Sequence, residues 1–443
     1  METPPAAGEE ATADAVAAAV ARGRVGVLAL LRSNRDFRLL FFAAVISFGG
    51  DWFLYVALTG LVYSLTHSAA LVGILFAALT VPFALFTFVG GPLADRFDRQ
   101  KLMVTADLIR GVLALGFFFI HRSSQVWIVY VLAAGIAALG AVFEPASNAS
   151  LPNLVSAEEL PTAAVVFGAT WGTMLAVGSA LGGLVVAAFG RKAGYAGDFV
   201  SFLASAVLVL AIRRSFSVRR EERVERTTLR AANREVLTYA RGDRRVLAML
   251  TVKGGFGLVS GLVGILPLLA LQTFRAGDRG TGILLGFRGV GVFLGPFLIR
   301  RALKRDDIRA LFWIIPGAFA VYGAFYMAAP WMPTIWLAGL LILGAHLGGG
   351  AQWTLSTYAL QLIVPDHIRG RVFAFDYGLV TFTIAASATV AGVAASHFGV
   401  RTVIFVMACL ALAYSVIWTL ATANIRRSLS ASNTSTPNAP PTL

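Results

Sequence analysis

The stretch Gly91-Pro92-Leu93-Ala94-Asp95-Arg96-Phe97-Asp98-Arg99-Gln100-Lys101 lies between two long apolar runs, Leu71 to Val89 and Leu102 to Ile120. As a helix, each run is long enough to cross a ~30 Å hydrocarbon layer. Lipid offers no partner to charges or to unpaired backbone groups, so a charged connection of this kind belongs in water at a membrane face. It reads as a short, Gly-led turn that ends one membrane span and starts the next.

The rest of the chain agrees. Of 443 residues, 57% are hydrophobic and 14% charged, and the mean hydropathy is +0.75. A soluble protein carries roughly 25% charged residues, so this is an integral membrane protein. Twelve apolar spans can be read, at about 38–64, 70–93, 102–121, 125–148, 162–189, 195–213, 246–273, 280–302, 308–329, 334–357, 371–398 and 401–424. The expected organisation is an N-terminal segment (1–36), a six-helix half (37–213), a basic linker (214–245), a second six-helix half (246–427) and a polar tail (428–443). The N-terminal segment lacks the order of a cleaved signal peptide.

The formal net charge of +14 could suggest a nucleic-acid partner, but the positions of the charges exclude it. Basic residues gather in the N-terminal segment, the 2–3 loop, the 214–245 linker and the 8–9 loop. The alternate loops hold only Arg122, Arg191, Lys192, Arg275, Arg279 and Arg401. By the positive-inside rule both termini are expected in the cytoplasm of a plasma-membrane protein. Cys409 is the sole cysteine and the five histidines are scattered, so neither a disulfide nor a metal site is indicated. No phosphate-binding loop is present, and no cofactor is expected. Gly286-Phe287-Arg288-Gly289-Val290-Gly291 lies in an apolar span with no strand before it and reads as helix packing. No catalytic grouping marks an enzyme.

Shifting the chain by 209 residues (Val72 onto Thr281) superposes its halves at several places: Val72-Gly73-Ile74-Leu75 on Thr281-Gly282-Ile283-Leu284, and Phe189-Gly190 on Phe398-Gly399. Two parallel repeats are the consequence. The pattern G-x-L-A-D-R-x-x-R-x-K at 91–101 resembles the loop between helices 2 and 3 of the major facilitator superfamily of secondary transporters, with Asp98 where that family usually has Gly. Gly49-Gly50-Asp51-Trp52 is similar to a helix 1 stretch of the enterobactin-exporter and macrolide-efflux branch. So is Pro145-Ala146-Ser147-Asn148-Ala149-Ser150-Leu151-Pro152-Asn153-Leu154-Val155, with Glu158-Glu159-Leu160-Pro161-Thr162-Ala163 after it.

The resemblance implies an all-α fold of twelve transmembrane helices in two pseudo-symmetric halves. It also implies alternating access and a central cavity lined by spans 1, 4, 7 and 10. Ionisable groups inside a bilayer need a functional or pairing explanation. Asp51 lies about 20 Å into span 1 at 1.5 Å per residue. It is either a proton carrier or permanently paired with Lys253, Arg110 or Arg288, and its flanking glycines would loosen the helix and admit water or substrate. Glu144 belongs either to the cavity or to a gate. Lys253, Arg288, His346, Gln352 and Trp353 complete the expected cavity set. Glu144 and Trp353 are equivalent under the shift, and a carboxylate facing an aromatic would suit an amphipathic or cationic substrate.

Gly91, Asp95, Arg96, Arg99, Asp107, Arg110 and Asp376 form the expected conformational-switch set. By resemblance, Asp95 would meet the start of helix 11. Asp107 and Arg110, three apart, either pair with each other or join that network. Gly178, Gly182 and Gly183 resemble the helix 5 signature of antiporters, with Ser179 where a Pro is usual. Val131 to Ala141 lacks the span 4 Arg of many drug/proton antiporters. The expected function is export of a small hydrophobic or amphipathic organic molecule by a proton-coupled monomer that meets only its substrate, protons and lipid. The alternatives are an uncoupled facilitator or importer, and a non-transporting scaffold of the same fold.

Overall fold

The computed structural model describes residues 26–156, 158–214, 216, 229–302 and 308–431. Twelve helices in it are long and apolar enough to cross a membrane. They are α1 (Arg35–Thr66), α2 (Ala69–Arg96), α3 (Arg99–Gly116), α4 (Val126–Leu154), α5 (Leu160–Phe189) and α6 (Arg191–Leu210) in the first half. The second half holds α7, which begins as Arg244–Val259 and continues irregularly to Thr273, then α8 (Gly277–Ala302), α9 (Ile308–Ala328), α10 (Ile335–Ile363), α11 (Asp366–Phe398) and α12 (Val400–Ala421). No strand occurs among the described residues. An even number of spans puts the start of α1 and the end of α12 on one face, the terminal face.

Side-chain caps set several starts. Asn34 Oδ1 accepts from Phe37 N at 3.0 Å to open α1, and Asp98 Oδ1 accepts from Lys101 N at 2.9 Å to open α3. The 2–3 connection is shorter than the sequence suggests. α2 stays helical through Gly91 to Arg96, and only Phe97 and Asp98 leave the helix. A helix end that emerges into water keeps its turns, and Arg96 in the last turn suits the negative end of the helix dipole.

The repeat appears as backbone geometry. Gly190 ends α5 at φ +78° and Gly399 ends α11 at φ +82°, 209 positions apart (399 − 190). Where the halves meet, a Cβ on Gly73 (α2) would lie 2.9 Å from Gly392 Cα (α11). A Cβ on Gly183 (α5) would lie 2.6 Å from Gly282 Cα (α8). The same shift carries Gly73 onto Gly282 and Gly183 onto Gly392. The two glycine contacts are therefore one contact made twice, once on each side of a pseudo-twofold axis. Both lie toward the face opposite the termini.

α7 is irregular between Val259 and Thr273, where the helix breaks and a π turn closes it. Freed backbone groups at membrane depth must find partners. Ser387 of α11 supplies them: its Oγ accepts from Gly261 N at 3.1 Å and donates to the Leu258 carbonyl. The linker helix Leu229–Gly242 is tied to the second half by an ion pair between Glu235 and Arg371.

Candidate functional site

The first half seals a charge cluster. Arg110 (α3) donates from Nη2 to both oxygens of Asp51 (α1), at 2.6 and 2.7 Å. Its Nη1 donates to Ser47 Oγ at 3.0 Å and to Asp107 Oδ1 at 3.3 Å. The guanidinium stacks over the Phe202 ring at 4.1 Å. Asp198 (α6) is a near neighbour of this group and fully buried, with Ser201 beside its carboxyl. Three carboxyls thus surround one guanidinium. Burial is uneven: the Arg110 and Asp107 side chains are 2% and 0% exposed, whereas that of Asp51 is 33% exposed. Asp51 is the member of the cluster that open space can reach.

The glycines beside Asp51 do not loosen α1, which runs unbroken through them. A Cβ on Gly50 would fall 2.0 Å from Ser201 Oγ and 2.8 Å from Asp198 Oδ1, so Gly50 is needed to bring α1 against α6. Gly178 and Gly182 of α5 do the same for α1, facing the Gly49 carbonyl and Phe53 Cα at 2.9 Å each. Gly183 faces α8. The helix 5 glycines are packing positions.

The second half seals a different pair. Lys253 Nζ (α7) lies 2.5 Å from Asp376 Oδ2 (α11) and donates to Thr357 Oγ1 (α10) at 2.9 Å. Nζ also sits 4.8 Å from the centre of the Trp353 ring. One expectation changes here. Asp376 is the counter-ion of Lys253 and no part of a surface loop network. Trp353 presents one ring face to Lys253 of its own half. Asp107 and Arg110 likewise leave the switch set and join Asp51, because their side chains point into the bundle.

Glu144 (α4) is half-buried, makes no hydrogen bond through its carboxylate among the described residues, and neighbours Asp51 and Tyr377 of α11. His346 Nε2 is hydrogen-bonded to Tyr326 Oη at 2.8 Å, and Gln352 is buried with neither amide atom bonded. Arg288 (α8) has Nε and Nη1 sealed from solvent and unbonded. In the 2–3 region Arg99 donates to the Ala94, Ala149 and Phe216 carbonyls, at 3.1, 2.7 and 3.1 Å, and Arg96 stacks on Phe97. Gly91 lies in the last turns of α2. The Asp95 side chain lies outside the described residues, and so does its expected contact with helix 11.

The sequence reading missed three elements. Asp198 lies inside the span read at 195–213 and carried the same signal as Asp51. Arg191 and Asp278 open α6 and α8 at the face opposite the termini. Their 2.9 Å ion pair joins the halves, and Arg191 Nη1 also donates to Ser64 Oγ at 2.7 Å.

Twelve spans in two packed halves, each with a buried ion pair, make this a polytopic membrane protein. The chain belongs to the major facilitator family described as transmembrane secretion effectors, whose family model it matches over residues 25–442. It is 25% identical over 406 residues to the MFS-type transporter YfiS of Bacillus subtilis (strain 168), covering 88% of this chain and 93% of that one. It is 23% identical to the candidate bacilysin exporter BacE of Bacillus subtilis, covering 79% and 86%. The nucleoside transporter NupG shares the fold, with a TM-score of 0.67 at 14% identity over 88% of this chain and 99% of NupG.

Proposed function

We propose that this transporter exports a small hydrophobic or amphipathic organic molecule, driven by a proton gradient. It works by alternating access as a monomer in the plasma membrane, with both termini in the cytoplasm. The observation that carries the reading is Asp51: a carboxylate deep in the bundle, salt-bridged to a sealed arginine, yet one-third open. Fully ionised, three carboxyls and one guanidinium leave a net charge of −2 (1 − 3) in a poorly solvated place. A proton taken up through Asp51 lowers that charge and weakens its hold on Arg110. Because Asp51 and Arg110 lie on different helices, loading and release change how α1 and α3 sit together. The basic loops on the terminal face support cytoplasmic termini, and export is favoured by likeness to BacE.

The test is uptake of lipophilic dyes and macrolides into everted membrane vesicles. Accumulation that needs an acid interior and collapses with a protonophore supports coupled export. Equal movement in both directions without a gradient would make the protein a facilitator.

A further inference from the structure

Each interior cation of the described spans has a carboxylate partner except one. Arg110 has Asp51 and Asp107, and Lys253 has Asp376. Arg288 has none, and two of its three nitrogens are sealed without a hydrogen bond. A guanidinium cannot shed its charge, and buried donors left unmet are costly. Such a group persists where a partner arrives during function.

The surroundings of Arg288 are donors and rings, not acids. The ionisable groups that interact with it are the phenols of Tyr326, Tyr322 and Tyr55 and the imidazole of His346. Tyr322, Tyr326 and His346 form a tight group, with ring centres 4.9 Å apart for the two tyrosines and 5.3 and 5.6 Å from each to the imidazole. The Tyr326–His346 hydrogen bond satisfies that pair. The Tyr55 hydroxyl is buried and unbonded, and the buried Tyr322 hydroxyl faces Ser260 of α7. Tyr55 stands on α1, whereas Arg288 and Tyr322 stand on α8 and α9. Phenol hydroxyls from both halves therefore gather around one uncompensated cation that keeps partial access to open space.

We propose that Arg288, Tyr55 and Tyr322 form a subsite for a carboxylate on the transported molecule, held between the two halves. The proposal rests on the transport reading and narrows its substrate class to amphipathic organic acids. A planar carboxylate matches the fork of Nε and Nη donors and accepts further bonds from the phenols. The aromatic walls suit an apolar body.

The test is binding, not transport, so its failure is distinguishable from failure of the export reading. The full-length protein in lipid nanodiscs is titrated with 4-phenylbutyrate and with 4-phenylbutanamide, its neutral analogue, and the thermal midpoint is followed. The acid is expected to raise the midpoint and the amide to leave it unchanged. Arg288→Gln should weaken the acid at least about 30-fold, as expected on losing one member of a buried charge pair, and Arg288→Lys should retain part of the affinity. Without ligand, Arg288→Gln should fold at least as stably as the parent, because it removes an unpaired charge. Equal effects of acid and amide, no effect of either, an undiminished acid effect in Arg288→Gln, or loss of the folded protein in that variant would each overturn the proposal.

Discussion

Arg110 grips both carboxylate oxygens of Asp51, at 2.6 and 2.7 Å, and so ties α3 to α1 across 59 residues of sequence. Removing the cation leaves Asp51, Asp107 and Asp198 facing one another without compensation. Arg110→Met is expected to destabilise the protein by about 3–5 kcal/mol, the usual cost of breaking a buried pair from one side. Asp51→Asn, which keeps the shape, should cost far less. Thermal denaturation of the two variants in matched lipid checks the order.

Lys253 and Asp376 are expected to behave as a structural unit. Lys253→Met alone should be strongly destabilising, because Asp376 already has one buried oxygen unbonded. The double variant Lys253→Met with Asp376→Leu should recover most of the loss, since well-packed apolar replacements of a buried pair are often near neutral. A double-mutant cycle with no coupling between the two sites would show that the pair does not act as one.

Closure of the face opposite the termini depends on contacts that can be weakened one at a time. The Arg191–Asp278 pair is partly exposed, so Arg191→Ala should cost about 1 kcal/mol. That moves an open–closed equilibrium roughly fivefold. Gly183→Val and Gly73→Val should favour opening as well, and by similar amounts, because the two glycine contacts are symmetry partners. Spin labels on His121→Cys and Arg401→Cys, with Cys409→Ser, report the distance between the halves at that face.

Asp243 gives a prediction in pH. It opens α7 by accepting from Arg245 N at 2.8 Å and pairs with the Arg245 side chain at 2.7 Å. The hydrogen bond from Arg245 holds its carboxyl below the usual range. A lowered folded-state pKa means stability that is present above the unfolded pKa of about 3.9 and lost as the pH falls through the folded value. Asp243→Ala should cost about 1 kcal/mol at neutral pH, and the difference from the parent should shrink below about pH 4.

Much of this fold is legible in the sequence because lipid leaves few options. Long apolar runs must be helices, and the 91–101 stretch had to leave the bilayer. The 209-residue shift exposed the repeat, although the pairing of Gly73 with Gly392 and of Gly183 with Gly282 needed the packed structure. The site was less legible. A lone charge in a span announces itself, but its partner lies on another helix, and nothing local separates Arg110 from Lys253 as the mate of Asp51. Spacing placed Trp353 in a span but could not show that Lys253 lies over one face of its ring. Asp198 was passed over within an apolar span, where its burial carried the same message as that of Asp51.

The central claim is that Asp51 couples proton movement to export. The direct measurement is proton flux in proteoliposomes holding the purified protein and a pH dye, on addition of a transported compound, with Asp51→Asn alongside. The account predicts compound-dependent proton movement in the parent, and in Asp51→Asn bound compound without proton movement. Proton flux that survives in a folded Asp51→Asn protein would contradict it.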